Sequence, residues 1–259
     1  MSGFEVIGLG LAAAAGGAIN AVAGGGTMIT FPALLAFGMA PVSANATSTL
    51  ALVLGTSGSI YGYRRHIGPV RPWLRRFVPV SVVGGLGGAV LLQYTSNEVF
   101  SRLVPFLILF ATFLFLAHGA MGKIRSGTPS GNGACAGWAG WAVVFQLGVA
   151  LYGGYFGAGI GILMLASLGL MGLRDIHQMN TIKTILGSLI NVVAGIWFVV
   201  AGLVVWPQAA VMTVGAMGGY FLGAHYSQRI AQARVRQIIA GIGLALSVAT
   251  FYVEFFKKS

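Results

Sequence analysis

Residues 20–32 read N-A-V-A-G-G-G-T-M-I-T-F-P, an apolar run broken in its middle by Gly24, Gly25 and Gly26. Three consecutive glycines give the backbone a freedom of φ that other residues lack, and they remove side chains where another group must come close. A helix is expected to break there. Far down the chain, Phe156-Gly157-Ala158-Gly159-Ile160-Gly161-Ile162-Leu163-Met164 is a second apolar run interrupted by closely spaced glycines. In a bilayer, backbone that leaves the helix must be buried in protein or line a wet cavity, because its N–H and C=O groups lose their internal partners. Two such interruptions in corresponding halves are the best sequence pointer to a transport site.

Composition says that the solvent is lipid. Of 259 residues 57% are apolar and 7% charged, against about 25% charged in soluble domains. The apolar runs are too long, and alternate too poorly, for barrel strands of about ten residues. The expectation is an all-α integral membrane protein. The 41 glycines suit close packing of helices in lipid. The formal charge of +11 comes from 15 basic and four acidic residues. It would suit nucleic acid, but the bases lie mainly in short loops between apolar segments, where they act as orientation signals, so no nucleic-acid partner is expected. The lone Cys135 permits no internal disulfide and no zinc spacing is present, so neither a metal nor a cofactor is expected.

The hydrophobic segments fall at residues 4–22, 27–39, 45–61, 77–94 and 103–121, then at 137–153, 160–172, 181–201, 208–226 and 238–256. Residues 122–136 are rich in Gly, Ser and Pro and are expected to be a flexible linker. This gives a first transmembrane repeat over residues 1–121 and a second over 137–259. An offset of 135 takes Asn45 to Asn180, Thr49 to Thr184, Pro72 to Pro207, Gly84 to Gly219 and Gly88 to Gly223. One inserted residue is needed between the second glycine run and Asn180. Charge relates the two copies. Residues 64–76 carry five arginines while the corresponding 199–211 carry no charge; the sparse loop at 95–102 corresponds to 227–237, with Arg229, Arg234 and Arg236. If Lys/Arg-rich loops stay inside, the halves cross in opposite directions, as inverted repeats of about eight to ten segments in all. A multi-pass protein of the bacterial cytoplasmic membrane is expected, its N-terminus outside.

At this point G-G-G-T-M-I-T-F-P-A-L-L at residues 24–35, A-N-A-T-S-T at 44–49 and the weaker second copy resemble the sulfite exporter TauE/SafE family. The similarity spans essentially the whole chain. It implies a transporter of small sulfur-containing anions such as sulfite, sulfoacetate and other organosulfonates. The second copy departs from the pattern: Ile160 is read as replacing the middle glycine, and Ala166-Ser167 stand at the proline position.

A small anion can be held by backbone N–H groups at helix N-termini, each end acting like roughly half a positive charge. The candidate substrate-binding residues are Gly24, Gly25, Gly26, Thr27, Asn45, Thr47, Ser48, Thr49, Gly157, Gly159, Gly161, Asn180 and Lys183. Two readings of Asn45 and Asn180 stand side by side: helix N-caps, or amides pointed at the substrate. Thr47, Ser48 and Thr49 either line the site or bond back to their own helix. Lys183 lies inside an apolar segment, where a cation costs roughly 3 kcal/mol at the bilayer centre. It either snorkels to the interface or meets the anion. Asn20, Gln146 and Asn191 read as helix-to-helix hydrogen bonds.

The expected function is secondary transport, by rocking or sliding one repeat against the other, with a proton or sodium as the coupling ion. The oligomeric state is left open. A passive anion channel is the alternative. An intramembrane enzyme is the third reading, poorly supplied with catalytic groups: the acids are Glu5, Glu98, Asp175 and Glu254, and no P-loop or nucleophile elbow is present.

Overall fold

The computed structural model describes residues 1–23, 25–63, 67–124, 138–171, 173, 175–226 and 232–252. Gly24, Arg64, Arg174, Arg229 and most of the expected linker, residues 125–136, lie outside the described residues. Among the described residues the regular elements are all α-helices. They are α1 Gly3–Ala23, α2 Thr27–Ala36, α3 Pro41–Tyr63, α4 Ile67–Tyr94 and α5 Asn97–Ile124. Then come α6 Trp138–Tyr155, α7 Ile160–Leu170, α8 Ile176–Val200, α9 Trp206–Tyr226 and α10 Gln232–Tyr252. Four stretches are long and apolar enough to cross a membrane among the described residues: Gly3–Ala21, Gly68–Tyr94, Asn97–Leu114 and Gln178–Val200. The outer faces fit that solvent, with Phe4 80%, Phe221 75% and Val200 75% exposed.

Helices α2 and α7 are short, 10 and 11 residues. At 1.5 Å per residue each is about 15–17 Å long, roughly half of a hydrocarbon core of about 30 Å. Glycines in the left-handed conformation close α2 and α8: Gly38 has φ 82° and Gly202 φ 69°. At each, the next two N–H groups turn back to the last turn, Gly38 to Leu35 and Met39 to Leu34, Gly202 to Val199 and Leu203 to Phe198. This is the Schellman closure, which only glycine adopts without strain. At the other kind of boundary, the hydroxyl of Ser96 accepts from Val99 N at 3.3 Å, and Glu98 lies in the first turn of α5 beside the positive helix end.

Three expectations about element boundaries are corrected. Helices α3 and α8 begin at Pro41 and Ile176, so Asn45 and Asn180 stand inside them and cap neither. Pro41 is suited to a first helical position because it has no N–H to leave unpaired. The basic stretch expected as a loop is largely helical: Arg71, Arg75 and Arg76 sit exposed on the first turns of α4. Its Pro69 is tolerated because it lies in the first turn, where N–H groups have no intrahelical partner. Finally, Gly26 and Gly159 cap α2 and α7. Ala158, not Ile160, therefore stands opposite Gly25. The interval from cap to the next helix is two residues longer in the second half, where one had been expected.

Glycine seams set the helix directions. A Cβ on Gly219 would strike the backbone of Ala14, one on Gly223 that of Ala18 at 2.7 Å, and one on Gly215 the side chain of Ala13 at 3.2 Å. The rising order on both sides means that α1 and α9 run parallel, backbone against backbone. Helices α4 and α6 repeat this, Gly84 against Ala150 at 2.6 Å and Gly88 against Tyr155 N at 2.7 Å. Helices α4 and α8 are also parallel, with Gly85 against Ile190 at 3.3 Å and Trp197 Nε1 donating to Gln93 Oε1 at 2.9 Å. In contrast α5 and α10 are antiparallel: Ser247 Oγ donates to the Pro105 carbonyl at 3.0 Å, and Gly243 meets Thr112. Close approach of this kind supplies the van der Waals packing that holds helices together in lipid. Two apolar cores result, one around Phe31, Phe100, Phe156 and Met212 and one around Phe77, Met164, Met179 and Ile190.

Candidate functional site

The first glycine interruption is shaped by α1. Gly26 is right-handed, with φ −56° and ψ −35°, so no backbone requirement explains it. A Cβ there would lie 2.5 Å from the Gly16 carbonyl oxygen and 3.1 Å from Asn20 Cβ. The group that comes close is therefore a neighbouring helix. Gly25 O accepts from Met28 N at 3.1 Å, and Gly26 O from Ile29 N at 3.0 Å and Thr30 N at 3.1 Å. Asn20 holds the turn from the side. Its Oδ1 receives Gly26 N at 3.5 Å and its Nδ2 donates to the Tyr220 hydroxyl on α9. Thr27 follows as the first, half-buried residue of α2.

The second interruption does need glycine for its backbone. Gly157 has φ 80° and Gly159 φ 78°, a region in which other residues are strained. Phe156 N and Gly157 N both turn back to the Tyr152 carbonyl, at 2.9 and 3.2 Å, ending α6. The Tyr152 hydroxyl donates to the Ala158 carbonyl at 2.8 Å. Across the break Gly159 O accepts from Ile162 N at 3.0 Å and starts α7. Asn191 of α8 brings its Oδ1 within 3.6 Å of where a Gly157 Cβ would stand.

The two interruptions adjoin. The ring of Phe31, in the second turn of α2, packs edge-on against Phe156 at 5.5 Å between centroids. Helix α3 touches both breaks with one polar face. Ser48 and Thr30 share a hydrogen bond of 2.6 Å, and the Thr30 hydroxyl donates to Gly26 O at 3.2 Å. With that proton committed, Ser48 is the donor of the pair. One turn earlier, Asn45 Nδ2 donates to the Tyr155 carbonyl at 3.0 Å, at the end of α6. Asn45, Thr47 and Ser48 are at most 1% exposed. All are therefore committed to protein-internal positions, and one atom among them stays single: Asn45 Oδ1 is buried without a hydrogen-bond partner.

The remaining candidates divide. Thr47 faces another way, its Oγ1 accepting from Val205 N at 3.1 Å, which ties α3 to the start of α9. Thr49 is buried and Asn180 half-buried. Lys183, five residues inside the apolar stretch Gln178–Val200, lays its stem over Gly161: a Cβ on that glycine would lie 3.2 Å from Lys183 Cδ. The Lys183 side chain and the N-terminus of α7 thus share one break, and a helix N-terminus is an end at which an anion can be held. The opposite pole is the C-terminus of α6, whose final carbonyls lack intrahelical partners. Sequence reasoning passed over Thr30, Tyr152 and Tyr155. Their signal was position: Thr30 lies one helical turn after Gly26, and the two tyrosines stand five and two residues before Gly157.

The sequence profile described as Sulfite exporter TauE/SafE matches residues 9–250. "Probable membrane transporter protein YfcA" of Escherichia coli K12 is 28% identical over 243 residues, 91% of this chain and 86% of that one. A "Probable membrane transporter protein" of Haemophilus influenzae is 28% identical over 239 residues, 90% of this chain and 89% of that one. "Probable membrane transporter protein ORF9" of a Sinorhizobium species reaches 30% over 251 residues, 92% and 88% of the two chains. No solved structure matches.

Proposed function

The chain belongs to the sulfite exporter TauE/SafE family, and we propose that it is a secondary transporter exporting a small sulfur-containing anion, such as sulfite or sulfoacetate, across the bacterial cytoplasmic membrane. The observation that carries this is the junction of the two breaks: one face of α3 bonded to both, and a cation laid over the N-terminus of α7. Backbone dipoles and one ammonium can hold a small sulfur oxyanion without a buried carboxylate or metal. The inverted-repeat architecture belongs to this proposal. It is supported by parallel packing of α1 with α9 and of α4 with α6, and by the antiparallel pair α5 and α10. Partners related by a two-fold axis in the membrane plane run in opposite directions.

The test is thermal melting of the purified full chain with sulfite, sulfate, thiosulfate, sulfoacetate and a carboxylate of matched size. A ligand of the folded state at 100 times its Kd stabilises by about 2.7 kcal/mol. A sulfur oxyanion is expected to raise the melting temperature more than the carboxylate does. Equal shifts from every anion, or none from any, would remove the substrate class proposed.

A further inference from the structure

Asn45 Oδ1 asks for a positive partner. Its amide cannot be turned around, because that would set two carbonyl oxygens against each other where Asn45 Nδ2 now donates to Tyr155 O. The oxygen is therefore fixed at the carbonyl end of α6, in a residue 1% exposed, with nothing to accept from. At that end of α6 the backbone presents acceptors. The Tyr155 carbonyl keeps a second lone pair, and the preceding carbonyls of α6 are freed where Gly157 N bonds to Tyr152 instead of Gly153. Such an end attracts cations, and in transporters with interrupted helices the unwound carbonyls are where a coupling ion sits. No group of three or more His, Cys, Asp or Glu suited to a metal is present among the described residues. Divalent ions are held largely by carboxylates, so neutral oxygens alone favour a monovalent one.

We propose that Asn45 Oδ1, with the carbonyl end of α6, holds a small monovalent cation bound together with the transported anion. The proposal rests on the anion reading given above. It divides the second break into two poles, with the cation at the end of α6 and the anion at the start of α7 beside Lys183. Each ion lowers the cost of the other, and by linkage the coupling is reciprocal.

The experiment is melting of the purified full chain in equal concentrations of sodium, potassium, lithium and choline chloride, each with and without sulfoacetate. One of the small cations should raise the melting temperature above choline, and should tighten apparent sulfoacetate binding by about fivefold or more. Asn45→Leu, similar in size but without either amide atom, should lose the ion-specific increment. Asn45→Asp sets a carboxylate oxygen against the Tyr155 carbonyl where Nδ2 now donates, an arrangement that a bridging cation relieves, so its melting should depend on the small cation more steeply than the wild type's; this decides the matter alone if the leucine variant does not fold. Identical melting in all four salts, with the sulfoacetate shift intact, overturns the cation site and leaves the transport reading standing. So does stabilisation found only with sulfonates that carry an ammonium group, since the positive partner then arrives on the substrate. A cation increment with no response to sulfoacetate would keep a cation at Asn45 but overturn its binding together with an anion, and with it the anion reading.

Discussion

Gly26→Ala isolates what the first glycine interruption is for. The backbone at Gly26 is right-handed, so alanine fits its conformation and removes the entropy cost of glycine, a gain of about 0.5–1 kcal/mol. Against this, the new Cβ would stand 2.5 Å from the Gly16 carbonyl oxygen, where ordinary contact begins at 3.4 Å. That oxygen is backbone in the middle of α1 and cannot swing aside. Helices α1 and α2 must part by roughly 1 Å, and overpacking of this kind costs about 1–3 kcal/mol. Taken together the two effects net to a destabilisation of roughly 1 kcal/mol. The shift would also draw Thr30 away from Ser48, so uptake into proteoliposomes should fall. Gly148→Ala is the control: it lies on an exposed face of α6 with nothing within 4 Å of its Cβ. There the same substitution should be neutral or up to about 1 kcal/mol stabilising. The readout is thermal melting of both variants in one detergent. A Gly26→Ala protein that melts at or above the wild-type temperature would refute the reasoning.

Thr30→Val removes a hydroxyl that both receives Ser48 and donates to Gly26 O, and should cost about 1–3 kcal/mol. Ser48→Ala removes one partner and should cost less; melting curves showing the reverse order would contradict the bonding described. Gly157→Ala places a side chain at φ 80° and should destabilise by about 1–2 kcal/mol, again read by melting. Lys183→Gln should weaken sulfoacetate binding far more than it lowers expression, and unchanged affinity would make Lys183 an interface anchor. A reporter inserted at the start of α4, near Arg71, is expected to read cytoplasmic and one near Gly202 periplasmic. Both on one side would refute the inverted arrangement.

The helices were legible because apolar runs in a membrane protein are long and sharply bounded: residues 208–226 of the expected segments lie within α9, and residues 27–39 contain α2. Boundaries failed where prolines and arginines resembled loops. Pro69 and Arg71 sit in the opening turns of α4, where a missing N–H and an exposed charge cost little. The breaks were placed by counting glycines, yet the reasons for those glycines could not be read. Gly26 answers to the backbone of α1, Gly157 to its own φ, and Gly161 to the stem of Lys183. These are tertiary facts with an identical one-letter signature. For the same reason Asn45 was seen as polar and important, but its bond to Tyr155, 110 residues away, leaves no mark in local sequence.

The seams between α1 and α9 and between α4 and α6 each join a helix from one half of the chain to a helix from the other. Neither half is a body in its own right. A shearing motion of one half against the other would have to part these seams, so bundles that each take helices from both halves are the natural moving units. Produced alone, a five-helix piece would show bare glycine furrows where the other half now packs, and would be expected to persist only by covering them against another piece.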